Sequence, residues 1–136
     1  MSIVVVDDSL TTLVVLKHLM ASHASGPIRT FSKPQEAQEF LTAAPADLVI
    51  VDCEMPGING IDFIAGVRRV PHHADTPIIM VTHHSASEIR LRAIAAGATD
   101  FLSKPVDPLE FKTKVRDLLR LKAAADRSRK LRVHAS

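Results

Sequence analysis

The chain has 136 residues, 46% hydrophobic and 24% charged, with seven His, one Cys, no Trp or Tyr, and a formal net charge of +2. Those figures describe one globular domain large enough for a substantial core. They exclude an internal disulfide, a membrane span of ~20 apolar residues and an aromatic base-stacking surface.

The first strand pattern, Ile3–Val6, begins almost at the N-terminus, with no basic and apolar leader before it, so no signal peptide is expected. The single Cys53 fits a reducing, cytoplasmic setting. Further β-branched apolar runs follow at Ile28–Phe31, Leu48–Val51, Ile78–Val81 and Phe101–Leu102. Three of the five, Ile3–Val6, Leu48–Val51 and Ile78–Val81, are four-residue runs apolar throughout, as strands covered on both faces should be.

Helical segments lie between the runs. Ser9 is placed to cap a helix over Leu10 to about Met20, and Ser32 with Gln35 forms a capping box for Pro34–Ala43. Asp62–Val70 is a weaker helix, with Gly66 inside it and Pro71 closing it. Ser85 with Glu88 starts a helix that Gly97 stops. Asp107 caps a long last helix with Pro108 at its first position.

Alternating strands and helices predict a doubly wound α/β fold, a parallel sheet with helices on both faces. Right-handed crossovers bring the carboxyl ends of all strands to one edge, where ligands bind. Asp7 and Asp8 end the first run, Asp52 the third and Thr82 the fourth, and the fifth leads into Lys104.

Charge is uneven along the chain. Lys112–Arg132 holds nine Lys and Arg against two Asp, a net +7, and the remainder holds eight against thirteen acids, a net −5. The basic last helix reads as a solvated face or as a contact face for a partner or a following domain. No groove-reading motif accompanies it, so no direct nucleic-acid role is expected. The helix is expected to run past the domain body and fray. Leu118, Leu121 and Ala125 fit a heptad but Ser128 and Arg132 do not, which argues against a self-contained coiled coil.

Three carboxylates converging on one edge repel by several kcal/mol even at an effective dielectric of ~20. Lys104 alone cannot neutralise them, whereas a hard divalent cation can, and Mg²⁺ suits a site of few carboxylates completed by water and phosphate oxygens. A carboxylate beside such an ion can act as a nucleophile toward a phosphoryl group. Asp52 is the best candidate, as the lone acid ending the central run. Asp7 and Asp8 then read as metal ligands, one direct and one through water. Lys104 would neutralise phosphoryl oxygens and Thr82 would offer them a hydrogen bond.

The segments VVVDDS, LVIVDCEMPGINGID, PIIMVTHHS and GATDFLSKPVDPLEF resemble the receiver domain of two-component response regulators, in order and at fitting separations. The resemblance runs from about Ile3 to about Leu121, leaving 122–136 as a helical extension or linker. It implies a flavodoxin-like sheet of order 2-1-3-4-5 with five flanking helices. It implies that Asp52 takes a phosphoryl group from a phosphohistidine on a sensor kinase or phosphotransfer protein. Mg²⁺ would be held by Asp8, Asp52 and the backbone carbonyl of Glu54, with Asp7 acting through water. Lys104 would pair with the phosphoryl oxygens, and Lys104–Pro105 would be a cis peptide. Thr82 would move toward the phosphoryl group and the Phe101 ring would turn inward behind it. The surface of the fourth helix, fifth strand and fifth helix would then change its preference for a partner, a dimer mate or an output domain. The last helix also resembles those joining receivers to output domains, including cyclic-di-GMP regulators. No such output domain lies within these residues, and an enzyme is not expected beyond slow self-dephosphorylation.

Three positions depart from the common pattern of the family. His83 follows Thr82 where a small residue is usual, so an imidazole could crowd the phosphoryl site. Phe101 lacks the hydroxyl of the commoner Tyr, so its switch would rest on packing. Glu54 stands at a position that tunes dephosphorylation.

The pairs His72–His73 and His83–His84 lack metal-ligand spacing and read as surface or loop residues. Cys53 reads as a small buried filler. Two rival functions remain. One is a docking module that keeps the fold but ignores phosphorylation. The other is a Mg²⁺-dependent phosphatase of the haloacid dehalogenase type with Asp7 as nucleophile, although Ser9 stands where its second acid belongs.

Overall fold

The computed structural model describes residues 2–21, 26–83 and 86–135, the last five by backbone alone. Five strands, β1 (Ile3–Val6), β2 (Ile28–Phe31), β3 (Leu48–Asp52), β4 (Ile78–Thr82) and β5 (Asp100–Ser103), pair in parallel in the order β2-β1-β3-β4-β5. Helices α1 (Leu10–Met20), α2 (Pro34–Ala43), α3 (Gly60–Arg68), α4 (Ser87–Ala96) and α5 (Pro108–Ala135) connect and flank them, with a 3₁₀ turn at Pro71–His73. The expected flavodoxin-like α/β fold and strand order are therefore present.

A fully parallel sheet must be covered on both faces, and the buried side chains divide accordingly. Val4, Val6, Val49, Val51, Ile78 and Met80 pack with Leu41 of α2, Phe63 and Val67 of α3 and Ala93 of α4. Ile3, Val5, Ile50, Ile79 and Val81 pack on the other face with Leu13 and Leu16 of α1 and Phe111 and Val115 of α5. Each such fully buried side chain contributes about 1.5–3 kcal/mol relative to exposure. The register sets Asp52 opposite Val81 and Thr82 opposite Ser103, so these strands end level.

The helix ends follow local chemistry. Ser9 accepts from the Thr12 N–H at 3.2 Å, and Asp107 accepts from the Glu110 N–H at 2.9 Å. The capping box expected at Ser32 is absent: Lys33 is the N-cap, with no side-chain bond, and Pro34 begins the helix. A residue before proline is driven to extended backbone, and Lys33 has φ −118° and ψ 118°. Proline also removes one of the donors that a cap would have to satisfy. Ser85 lies outside the described residues; the helix after it starts at Ser87 and stops at Gly97, whose φ is +117°.

The third helix starts two residues earlier than expected and ends at Arg68. Its cap is Asn59, whose Oδ1 accepts from the Asp62 N–H at 2.9 Å while its Nδ2 donates to Asp62 Oδ2 at 3.1 Å. Val70 then enters the 3₁₀ turn that Pro71 opens. The last helix runs to Ala135. Lys122 Nζ lies 2.7 Å from Asp126 Oδ1 one turn on, and Arg129 Nη1 reaches Asp75 Oδ2 of the body at 3.6 Å. No helix among the described residues is long and apolar enough to cross a membrane.

His73 corrects the expectation of surface histidines. It is fully buried, with Nε2 2.6 Å from the Leu41 carbonyl and Nδ1 3.0 Å from Thr76 Oγ1. Nε2–H donates to the carbonyl, and Nδ1 meets a hydroxyl that also donates to the Ala46 carbonyl at 3.4 Å. Burial drives its pKa below the usual histidine value, with the bond to Leu41 opposing. His72 is exposed, its ring centroid 4.3 Å from that of His73.

Candidate functional site

The carboxyl edge of the sheet assembles a cleft of about 670 Å³, lined by Asp7, Asp8, Asp52, Glu54, His83 and Lys104 among others. Asp7 follows β1 directly. It is buried, accepts from the Ser9 N–H at 2.9 Å and so closes the turn that starts α1. Asp8 is exposed at the rim. Asp52 is the last residue of β3 and is buried.

Lys104 leaves β5 with its N–H bound to the Thr82 carbonyl at 2.9 Å. That bond ties the lysine to the end of β4. Its Nζ lies 3.1 Å from Asp52 Oδ1 and 3.3 Å from Asp7 Oδ2. The Lys104–Pro105 peptide is cis.

The loop after Asp52 is closed over the acid's own backbone. The Gly60 N–H donates to the Cys53 carbonyl at 2.8 Å, and a Cβ on Gly60 would lie 2.5 Å from the Asp52 carbonyl oxygen and 2.8 Å from Cys53 Cα. Glycine at this position lets α3 start against the end of β3. The Glu54 N–H points back to Asp52 Oδ1 at 3.4 Å.

Electrostatics at the site are unbalanced. Burial raises the Asp52 pKa, the charge of Asp7 adds to the rise, and Lys104 and the Glu54 N–H offset it only in part. Burial of Lys104 works to lower its pKa, but its bonds to Asp52 and Asp7 prevail and hold it above the ordinary lysine value. One ammonium therefore faces three carboxylates. Asp7, Asp8 and Asp52 each offer an oxygen, and the three oxygens lie within 4.8 Å of one another. A compact set of hard oxygen donors with excess negative charge and one member at the rim fits a divalent cation.

Of the remaining expected residues, Glu54 and His83 line the cleft, whereas Thr82 and Phe101 are not among its described lining residues. Thr82 ends β4 and is fully buried, on the same sheet face as Cys53. Cys53 is buried, as a filler should be, and burial pushes its thiol pKa up. His83 is exposed and lines the cleft without filling it. Phe101, opposite Met80 on β5, is half-buried and packs against the core under α4.

Two arginine contacts have no counterpart in the sequence reading. The Arg90 guanidinium carbon lies 5.6 Å from the Phe101 ring centroid, so that ring is not held by apolar packing alone. Arg68 donates to the carbonyls of Gly97, His73 and Thr76, at 2.8, 2.7 and 2.6 Å, clasping two loops at the opposite end of the sheet. No motif announces either contact, because each joins residues in different elements at a spacing that no local pattern marks.

Known proteins resemble this chain in sequence and fold. The model of the response regulator receiver domain matches residues 3–116. The chain is 35% identical over 127 residues to the cyclic di-GMP phosphodiesterase response regulator RpfG of Xanthomonas campestris, spanning 93% of this chain and 34% of that protein. It is 31% identical over 120 residues to a chemotaxis protein CheY homolog of Campylobacter jejuni, spanning 88% of this chain and 92% of that one. The crystal structure of CheY4 from Vibrio cholerae superposes with a TM-score of 0.80 at 28% identity, covering 86% of this chain and 97% of that one. The chain thus spans about a third of RpfG and nearly all of the CheY homolog. A family model over residues 3–116, the matching strand order and an acidic cluster at the sheet's carboxyl edge lead to one conclusion: the chain belongs to the response regulator receiver domains, the signalling switches of two-component systems.

Proposed function

We propose that Asp52 is the phosphoacceptor of this switch. The observation that carries this reading is the meeting of Asp7, Asp8 and Asp52 oxygens within 4.8 Å, with Lys104 bridging the two buried acids. Asp52 Oδ1 is engaged by Lys104 and the Glu54 N–H, which leaves Oδ2 without a protein partner among the described residues. That oxygen attacks the phosphorus of a phosphohistidine on a sensor kinase or phosphotransfer protein. The P–O bond to Asp52 forms as the P–N bond breaks, and the electron pair leaves with the imidazole.

Asp8, Asp52 and the Glu54 backbone carbonyl would hold Mg²⁺, with Asp7 acting through water. When bound, the ion neutralises the phosphoryl oxygens and the repulsion among the carboxylates. Lys104, already inside the cluster, turns from Asp7 toward a phosphoryl oxygen at little cost in reorganisation. Thr82 reaches the same group with its hydroxyl, and the Phe101 ring follows into the space behind it. His83 and Glu54, at the cleft wall, set how readily water reaches the ester.

The readout surface is α4, β5 and α5, where Leu91 and Ile94 are exposed. It would present a homodimer face or bind a partner. Residues 1–121 form the receiver, and 122–136 continue α5 as a helical link toward an output domain. The relative RpfG, a cyclic di-GMP phosphodiesterase response regulator of which this chain spans 34%, supports that organisation. The setting is cytoplasmic.

The test is incubation with a small phosphodonor and Mg²⁺, followed by intact-mass analysis. Wild type gains one phosphoryl group and Asp52→Asn gains none. Partner binding that ignores the added group would favour the docking-module reading instead.

A further inference from the structure

We propose that Arg90 is a positioning residue that latches the Phe101 ring in its resting place and thereby sets how readily phosphorylation switches the domain. The proposal rests on the reading that Phe101 moves when Asp52 is phosphorylated. Its grounds are geometric. Phe101 on β5 and Arg90 in the first turns of α4 are both half-buried, and the guanidinium carbon stands 5.6 Å from the ring centroid. A cation within about 6 Å of a ring centroid is drawn to the negative face of the ring. The attraction grows when water is excluded, and this ring packs against the core.

The ring bears no hydroxyl that could anchor it through a hydrogen bond, so the guanidinium supplies a polar hold that a tyrosine could obtain otherwise. The latch is not deep. Arg90 Nε is buried without a hydrogen-bond partner among the described residues. A donor left unsatisfied in this way raises the free energy of the resting arrangement. Ring attraction and the orphaned N–H therefore oppose one another. A contact so balanced holds one state while yielding to a new charge at Asp52, as a two-state element must. By linkage, whatever Arg90 adds to the resting state it subtracts from the affinity for any ligand that favours the switched state.

The experiment titrates beryllofluoride with Mg²⁺, a phosphoryl mimic, into the full chain. Arg90→Met keeps length and bulk but removes the cation, and it is expected to tighten binding by at most about 2–5-fold, the range a single partly exposed cation–π contact supports, because loss of the orphaned N–H offsets part of the effect. Arg90→Lys keeps a cation and is expected to shift less than Arg90→Met. In a Phe101→Leu background, Arg90→Met is expected to change nothing, because the latch has no ring to hold. In the ligand-free protein, the Phe101 ring resonances of Arg90→Met should move toward their ligand-bound positions.

Affinity in Arg90→Met equal to wild type would overturn the latch. So would an equal shift in the Lys and Met variants, or the same shift in the Phe101→Leu background. If wild type and Asp52→Asn bind the mimic alike, the phosphoacceptor reading falls and the latch falls with it. If binding depends on Asp52 but the Arg90 variants match wild type, the latch alone fails.

Discussion

Lys104 Nζ lies 3.1 Å from Asp52 Oδ1, and these two residues come from strands that are not neighbours in the sheet. The lysine crosses over the end of β4, to which its own N–H is bound through the Thr82 carbonyl. Asp52, Lys104 and the Thr82 backbone are thus parts of one small framework that joins the ends of β3, β4 and β5.

Removing the cation should expose the cost of that framework. Lys104→Met leaves Asp7 and Asp52 buried with no ammonium between them, and breaking a buried pair costs more than the pair's net contribution. Because the lysine side chain keeps 14% exposure, a loss of about 1–3 kcal/mol is expected in metal-free urea denaturation. Added Mg²⁺ should recover part of it, since a ligand of the native state stabilises by mass action. Unchanged stability in chelator would argue against the pairing.

Asp52 itself should be a liability to the metal-free fold. Its folded pKa is raised above the unfolded value of 3.8, mainly by burial and then by Asp7. The folded state therefore binds the proton more tightly than the unfolded chain. The contribution of this group to stability is greatest below pH 3.8 and is lost as pH rises through the folded pKa. Asp52→Asn should consequently be the more stable protein at pH 7 in chelator. Its advantage should shrink as pH falls through the folded pKa toward 3.8, by about 1.4 kcal/mol for each unit of elevation. Paired denaturation curves across that range check the sign.

His73 gives the opposite dependence. Burial lowers its folded pKa below the unfolded 6.5, so the unfolded chain takes up the proton first. Stability is full above pH 6.5 and declines as pH falls from there to the folded pKa, at no more than about 1.4 kcal/mol per pH unit. The difference between wild type and His73→Gln, followed by thermal or urea melts, should contain that decline. The bonds lost in the variant shift the curves without changing their slope.

Gly60→Ala places a methyl group against backbone that cannot step aside, 2.5 Å from the Asp52 carbonyl oxygen. Overpacking of this kind typically costs about 1–3 kcal/mol. The start of α3 or the end of β3 must shift, so phosphoryl uptake should fall along with stability. Gly66→Ala is the control, because the nearest atom to its Cβ would be the Gln38 Nε2 at 3.5 Å.

Much of the fold was legible because it obeys local rules. The β-branched runs became strands, and β3 and β4 each extend one residue further, to Asp52 and Thr82. Strand periodicity does not mark those two positions, because a polar residue ending a buried strand looks like its first loop residue. The cluster of Asp7, Asp8, Asp52 and Lys104 was legible for the same reason, since right-handed crossovers send all strand ends to one edge. What could not be read depends on contacts between distant segments. Burial of His73 follows from the Leu41 carbonyl 32 residues away. The Arg68 clasp and the Arg90 contact with Phe101 have no local signature. Asn59 was readable as a cap, through the same spacing to Asp62 as an acidic capping box, and Gly60 at the first helical position obscured it.

The central claim is that Asp52 is the acid esterified by phosphate, and chemical trapping tests it most directly. After reaction with a small phosphodonor and Mg²⁺, borohydride reduction converts an aspartyl phosphate to homoserine, which tandem mass spectrometry locates in the chain. Homoserine at position 52, absent when Mg²⁺ is withheld, is the expected result. Homoserine at position 7, as a haloacid dehalogenase-type phosphatase would give, or at no position, would contradict it.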